Sequence, residues 1–213
     1  MSKHLQSFLL FFEIYLLFKF EPMALSTKEK ILISTLKLID KKPFPQVSTK
    51  EIALRTGISE GAIFRHYKTK DVLLENLCDE FLSMTTTLNL DSIDNESEFK
   101  EKLLGFFLNL QKTENQIYKL MLYVAMYKKD HFIKFNKIFN VNVYEKIEAV
   151  VQIGINDWGY KKSINIKLHV RLLMYSIYFF TIQQQVFGAD KIENFNMEEV
   201  IRTAVDNFLY GVK

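Results

Sequence analysis

The sequence predicts an all-α protein, with a helix-turn-helix near the N-terminus and a larger helical body behind it. Three observations predict this. All three prolines (Pro22, Pro43 and Pro45) precede residue 46, so the rest of the chain lacks the strongest helix breaker. Apolar residues recur at helical spacing over most of the length. Serine, threonine or asparagine followed three residues later by glutamate or glutamine opens one segment after another, which is the signature of capped helices. A chain of 213 residues can bury a proper core as one large or two small domains. With 48% hydrophobic residues, 25% charged residues and a net charge of +3, it is globular in composition rather than disordered or fibrous.

Residues 1–22 stand apart from this pattern. The run from Phe8 to Phe18 is interrupted only by Glu13, but it falls short of the roughly 20 apolar residues that span a bilayer. No small-x-small cleavage site follows it, so it does not read as a secretory signal. Three readings remain: translation that truly begins at Met23, which is preferred, an apolar arm docked on the body, or an interfacial membrane anchor. The chain therefore divides into an extension (1–22), a helix-turn-helix domain (23–70) and a helical domain (71–213).

Ser26 with Glu29 forms a capping box, and Ile31, Leu32, Thr35, Leu36 and Ile39 follow on one helical face. The stretch from Lys41 to Pro45 stops that helix. Ser48 with Glu51 makes a second box, opening a short helix through Ile52, Ala53 and Leu54 that ends at Gly57. Ser59 then caps a third short helix, Glu60 to His66. Helices this short are marginal alone and must be held by tertiary contact, with Ile58 and Ile63 as core plugs and Ala53 permitting a close crossing. Gly61 and Ala62 leave the start of the third helix nearly bare. Ten basic residues against five acidic ones lie between Met23 and Leu74, so the positive charge sits with this motif, as phosphate neutralisation needs.

The order of residues from Ser48 to Leu74, STKEIALRTGISEGAIFRHYKTKDVLL, resembles the DNA-binding domain of the TetR family of bacterial transcriptional regulators, and the likeness is dense from about Thr27 to Leu74. In that family the third helix enters the major groove, while the first residue of helix 2 and the start of helix 4 hold phosphates. Carried over, the resemblance implies phosphate contacts from Ser48, Lys50, His66, Tyr67 and Lys70. It implies base-edge contacts from Glu60, Gly61, Ala62 and Arg65. Two residues depart from the family pattern: Phe64 stands where a tyrosine is usual, and Ala62 where threonine or serine is frequent. Ala62 can still meet a thymine methyl and Arg65 a guanine. Glu60 either accepts from cytosine or serves the positive end of the helix dipole.

Thr69 caps a fourth helix carrying Val72, Leu73, Leu77, Phe81, Met84 and Leu88 on one stripe. After the polar stretch Asp91 to Glu98, helices are expected over Glu98–Lys112, Glu114–Lys128 (capped by Thr113 with Gln116) and His131–Asp157, with Gly154 and Gly159 bracketing the last end. Ser163–Phe187 reads as a helix that is apolar nearly all round and so must be covered on every side. A last helix, capped by Asn196 with Glu199, shows a stripe of Met197, Val200, Ile201, Ala204, Val205, Phe208 and Leu209. These two helices are expected to form a symmetric dimer contact, and the resemblance implies the same homodimer.

The body is rich in aromatic side chains. Phe106, Tyr118, Met121, Tyr123 and Met126, with Tyr127, Phe139, Tyr144 and Trp158, are candidates to line a cavity for a small apolar or aromatic effector. For any one of them core packing is the better explanation; the effector site is what the resemblance implies for the group. The single cysteine, Cys78, forms no internal disulfide and reads as a buried small hydrophobe, and a reducing, cytoplasmic setting fits. His4, His66, His131 and His169 lack metal-ligand spacing, and no nucleophile–base pair, phosphate loop or paired-carboxylate motif is present. No cofactor, metal or enzymatic activity is expected.

The expected function is a cytoplasmic, ligand-responsive, DNA-binding transcriptional regulator without a membrane partner. A repressor on an inverted-repeat operator, released when effector entry tilts helix 4, accounts for the parts. A DNA-bound dimeric adaptor with no small-molecule effector is the alternative.

Overall fold

The computed structural model describes residues 25–85, 87–112 and 115–213. The extension 1–22 and the residues 113–114 that include the Thr113 cap lie outside them. Every regular element among the described residues is helical, and the chain divides into two compact units, Met1–Met84 and Thr85–Lys213.

The first unit holds α1 (Thr27–Ile39), a 3-10 turn (Phe44–Gln46), α2 (Thr49–Thr56), α3 (Glu60–His66) and α4, which runs Lys70–Thr85. Both capping boxes form. The Ser26 amide donates to Glu29 Oε2 at 2.7 Å and the Glu29 amide returns to Ser26 Oγ; Ser48 and Glu51 repeat the arrangement. Gly57 ends α2 at φ 75°, a left-handed conformation in which a Cβ is strained, and the Ile58 amide reaches back to the Ala53 carbonyl at 3.1 Å. The Thr69 cap is present too, with Val72 N–H donating to its Oγ1 at 3.1 Å. Ile31, Val47, Ile52, Ile63, Leu73 and Leu74 are buried, whereas Ile58 is only half-buried and Leu54 is exposed. The α2–α3 crossing therefore rests on Ala53 and Ile63 rather than on Ile58.

The second unit contains α5 (Glu96–Gln111), α6 (Asn115–Tyr127), α7 (Lys129–Phe139), a π-helical turn (Asn140–Tyr144), α8 (Glu145–Asp157), α9 (Ile166–Gln185), a 3-10 turn (Ala189–Lys191) and α10 (Met197–Val212). Helix α4 ends before Leu88, which is buried in the connecting segment along with Leu90 and Ile93 instead of extending the α4 stripe. The long helix expected over His131–Asp157 begins earlier and is broken by the π turn. Arg171 of α9 holds that turn: its guanidinium lies 3.7 Å from the Tyr144 ring centroid, donates to Asn140 Oδ1 at 2.9 Å and pairs with Glu148 at 2.5 Å. A widened turn of this kind has no proline or glycine to announce it.

Gly154 proves to be an interior residue of α8. A Cβ built there meets Tyr160 Cδ2 and Cε2 at 2.3 Å, so only glycine lets the ring lie against the helix backbone. Gly159, at φ 79°, turns the chain after the helix end. Helix α9 starts at Ile166, capped by Asn165 (Leu168 N–H to Oδ1, 3.1 Å), because residues 158–165 are used to seat Trp158 and Tyr160. Asn196 caps α10 as expected, accepting from the amides of Glu198 and Glu199. Helix α10 packs on α9 and α5, and α9 also packs on α8.

Candidate nucleic-acid interface

Two short helices, joined through the left-handed Gly57, present the start of α3 to solvent. Glu60, Gly61, Phe64, Arg65 and His66 are exposed and Ala62 is half-buried, while Ile63 and Tyr67 turn inward. A Cβ built on Gly61 meets nothing within 4 Å, so the helix surface at Gly61, beside Glu60, is open backbone. Such a face can approach a groove floor closely, with Arg65 free to reach base edges.

Around it the phosphate candidates behave differently from one another. Lys50 and His66 are exposed. Ser48 is exposed as well, but its hydroxyl is engaged in the capping box, donating to Glu51 Oε2 at 2.8 Å. Lys70 donates its ammonium to the Pro45 carbonyl at 2.9 Å and lies over the Phe44 ring at 4.8 Å, so it clasps the start of α4 to the 3-10 turn.

Tyr67 is a correction to the sequence reading. It is 2% exposed, its hydroxyl donates to the Lys28 carbonyl at 3.3 Å, and burial, followed by the charges of Glu80 and Glu29, pushes its phenol up to about 12. It is a core residue one turn on from Ile63, not a phosphate ligand. Two neighbours, exposed Phe64 and half-buried Thr49, escaped the list of candidates. Phe64 lies on the same face of α3 as Glu60, and Thr49 donates a hydrogen bond to the Glu60 carboxylate. No local spacing announces a pair eleven residues apart.

In the second unit the effector candidates separate into groups. Phe106, Tyr118, Met121, Phe139 and Tyr144 are buried. Tyr118 meets Tyr178 of α9 with ring centroids 6.0 Å apart, and Phe139 meets Tyr144 edge-on at 5.2 Å. Burial raises the phenols of Tyr118 and Tyr144 well above the ordinary range, and that of Tyr178 to about 12. Met126 and Tyr127 are corrections: both are exposed, and half-buried Tyr123 packs on Tyr127 at 5.5 Å. Met126 lies on the face of α6 opposite Ile117, Met121 and Val124, whereas Tyr127 is the last residue of the helix and is exposed at its end. Trp158 joins a different cluster, 6.3 Å from Phe99 and 5.8 Å from Tyr160.

The final helices also divide. Ile201, Val205, Phe208 and Leu209 of α10 are buried within their own unit, so most of that stripe is intramolecular core instead of dimer contact. Helix α9 keeps an outward stripe of Leu168, Leu172, Tyr175 and Phe179, each 51–58% exposed and spaced one or two turns apart. Beside it, a groove of about 690 Å³ between α9 and α10 is lined by Leu172, Ser176, Phe180, Val200 and Ala204, among others. Among the described residues no group of His, Cys, Asp and Glu side chains is arranged to hold a metal ion, and no helix is long and apolar enough to cross a membrane.

A capped helix pair with a bare second helix, followed by an all-helical body, defines the class of helix-turn-helix DNA-binding proteins. Residues 31–77 match the family model described as bacterial regulatory proteins, tetR family. The helix-turn-helix segment of this chain is thus similar to the DNA-binding domain of that family. It is 38% identical over 58 residues to the uncharacterized HTH-type transcriptional regulator YerO of Bacillus subtilis, a stretch covering 27% of this chain and 20% of that protein. It is 32% identical over 99 residues to YvkB of the same organism, covering 46% and 41%. The matches thus span less than half the length of these relatives.

Among solved structures, the fold is similar to the TetR-family regulator PfmR of Thermus thermophilus (TM-score 0.65, 18% identity, 86% of this chain and 98% of that one). It is also similar to SmeT, the repressor of the multidrug efflux pump SmeDEF of Stenotrophomonas maltophilia (TM-score 0.65, 16% identity, 87% and 90%).

Proposed function

We propose that this protein is a homodimeric transcriptional repressor that holds an inverted-repeat operator through two copies of α3 and lets go when a small apolar or aromatic effector enters the second unit. The observation that carries the reading is the exposed, nearly side-chain-free start of α3, flanked by Arg65, His66 and Lys50 in the most basic part of the chain. Its charge favours a polyanion, and its shape suits a groove.

The outward stripe of α9 supports the dimer. Four large apolar side chains in line on one helix form the kind of patch that a second copy covers by two-fold symmetry. Two readers held about 34–36 Å apart reach successive major grooves. The buried aromatic group around Tyr118, Tyr144 and Tyr178 supports an effector with apolar or aromatic surface, which such rings would pack against. Effector binding that changes the separation of the two α3 helices releases the operator without chemistry.

Selection of bound fragments from the source genome tests this. The expected result is an inverted repeat whose half-sites lie about one helical turn apart. A protein that remains single in solution and retains no fragment at low salt overturns it.

A further inference from the structure

We infer that Thr49 and Glu60 act as one reading unit, in which the Thr49 hydroxyl holds the Glu60 carboxylate as an acceptor for the exocyclic amine of a cytosine in the major groove. The inference rests on the proposed DNA reading and adds to it a base, a position and a positioning residue.

Thr49 is the first residue of α2 and Glu60 the first of α3, so their hydrogen bond crosses the turn that defines the motif. Glu60 is exposed, and a carboxylate offers about four lone-pair sites, of which Thr49 occupies one. Next along α3, a Cβ at Gly61 would meet nothing within 4 Å, and Phe64, one turn from Glu60, supplies an exposed apolar flank. A carboxylate near phosphates is repelled and, if unrestrained, swings away from the duplex. Tethering it to a neutral hydroxyl opposes that rotation without cancelling its charge. Cytosine is the base that matches. Its groove edge presents the N4 amine with no acceptor beside it, whereas adenine places N7 next to its amine and guanine presents only acceptors.

The competing account is that the bond merely clasps α2 to α3. Binding-site selection from randomised duplexes at one fixed salt concentration separates the two, using the full chain and its Glu60→Gln, Thr49→Val and Thr49→Ser variants, with thermal unfolding of each. The unaltered chain is expected to enrich cytosine at one position of each half-site. Glu60→Gln is expected to exchange that cytosine for adenine, because an amide matches the adenine N6 and N7 pair. Thr49→Val should weaken the cytosine preference about fivefold or more at that position alone, the low end of what one good base contact gives, and Thr49→Ser should retain it. An unchanged preference in Glu60→Gln overturns the inference while leaving the DNA reading intact. So does a loss in Thr49→Val spread over all positions alongside a lowered unfolding midpoint, which is the signature of a clasp. Failure of the unaltered chain to bind any duplex overturns the DNA reading itself, and this inference with it.

Discussion

Tyr67 donates its phenolic hydrogen to the backbone carbonyl of Lys28 across 3.3 Å, tying the end of α3 to the first turn of α1. The bond joins residues 39 apart in sequence and settles which way this tyrosine faces. Tyr67→Phe is expected to keep the buried ring and lose one hydrogen bond, costing about 1 kcal/mol of stability. Affinity for DNA and its salt dependence should stay unchanged. Urea unfolding together with a salt titration of binding checks this, and a flattened salt slope would restore the tyrosine as a phosphate ligand.

Two glycines in helix interiors make an opposed pair. Gly154→Ala places a methyl group 2.3 Å from the Tyr160 ring, where the ring must move or the helix must bend. Overpacking of this kind costs about 1–3 kcal/mol. Gly105→Ala, on the exposed side of α5 with nothing within 4 Å, should instead stabilise by about 0.5–1 kcal/mol through helix propensity. Unfolding midpoints that shift in the same direction for both would contradict the packing seen at Tyr160.

Leu172→Glu and Phe179→Glu each place a charge in the outward α9 stripe. Both residues are 58% exposed in the single chain, so folding should be retained while a dimer built on this face dissociates. Sedimentation should show the mass halved with an unaltered helical circular dichroism spectrum. Dimers that persist in both variants would place the interface elsewhere.

Glu51 has its carboxyl lowered to about 2, first by the hydrogen bond from Lys42 at 2.5 Å and then by the bonds from Ser48. A carboxylate depressed in the folded state contributes stability that is complete above its ordinary value of 4.5 and lost as the pH falls toward 2. Between those limits the urea midpoint of the unaltered protein should fall with acid, and Glu51→Gln should flatten that part of the curve. Glu80 works in the opposite sense. Burial first, and then the charges of Glu29 and Asp79, raise its carboxyl, so Glu80→Gln should stabilise the protein at neutral pH and lose its advantage in acid.

Helix starts were the most readable part of this chain. Ser26, Ser48, Ser59, Thr69 and Asn196 each cap the helix assigned to them, because a cap is a contract between residues two or three apart and needs no distant partner. The extents of α7 to α9 were less readable. The π turn at Asn140–Tyr144 depends on Arg171 from another helix, and the start of α9 depends on where Tyr160 finds a glycine to lie against. In the candidate site, Lys50, Gly61, Arg65 and His66 are exposed as the motif implied, while Tyr67 and Lys70 take structural partners.

Periodicity distinguishes an apolar face from a polar one, but it does not say what the apolar face meets. The stripe of α10 and the outward stripe of α9 look alike as sequence, yet Val205 and Phe208 are buried by the chain's own α9 and α5 while Leu172 and Phe179 remain in solvent. The local order of residues was enough to determine the helical class, most helix starts and the glycine turn. Which side chains are core, and which are left over for DNA or a second copy, was decided only when the helices packed, because burial is a property of neighbours brought together from far along the chain.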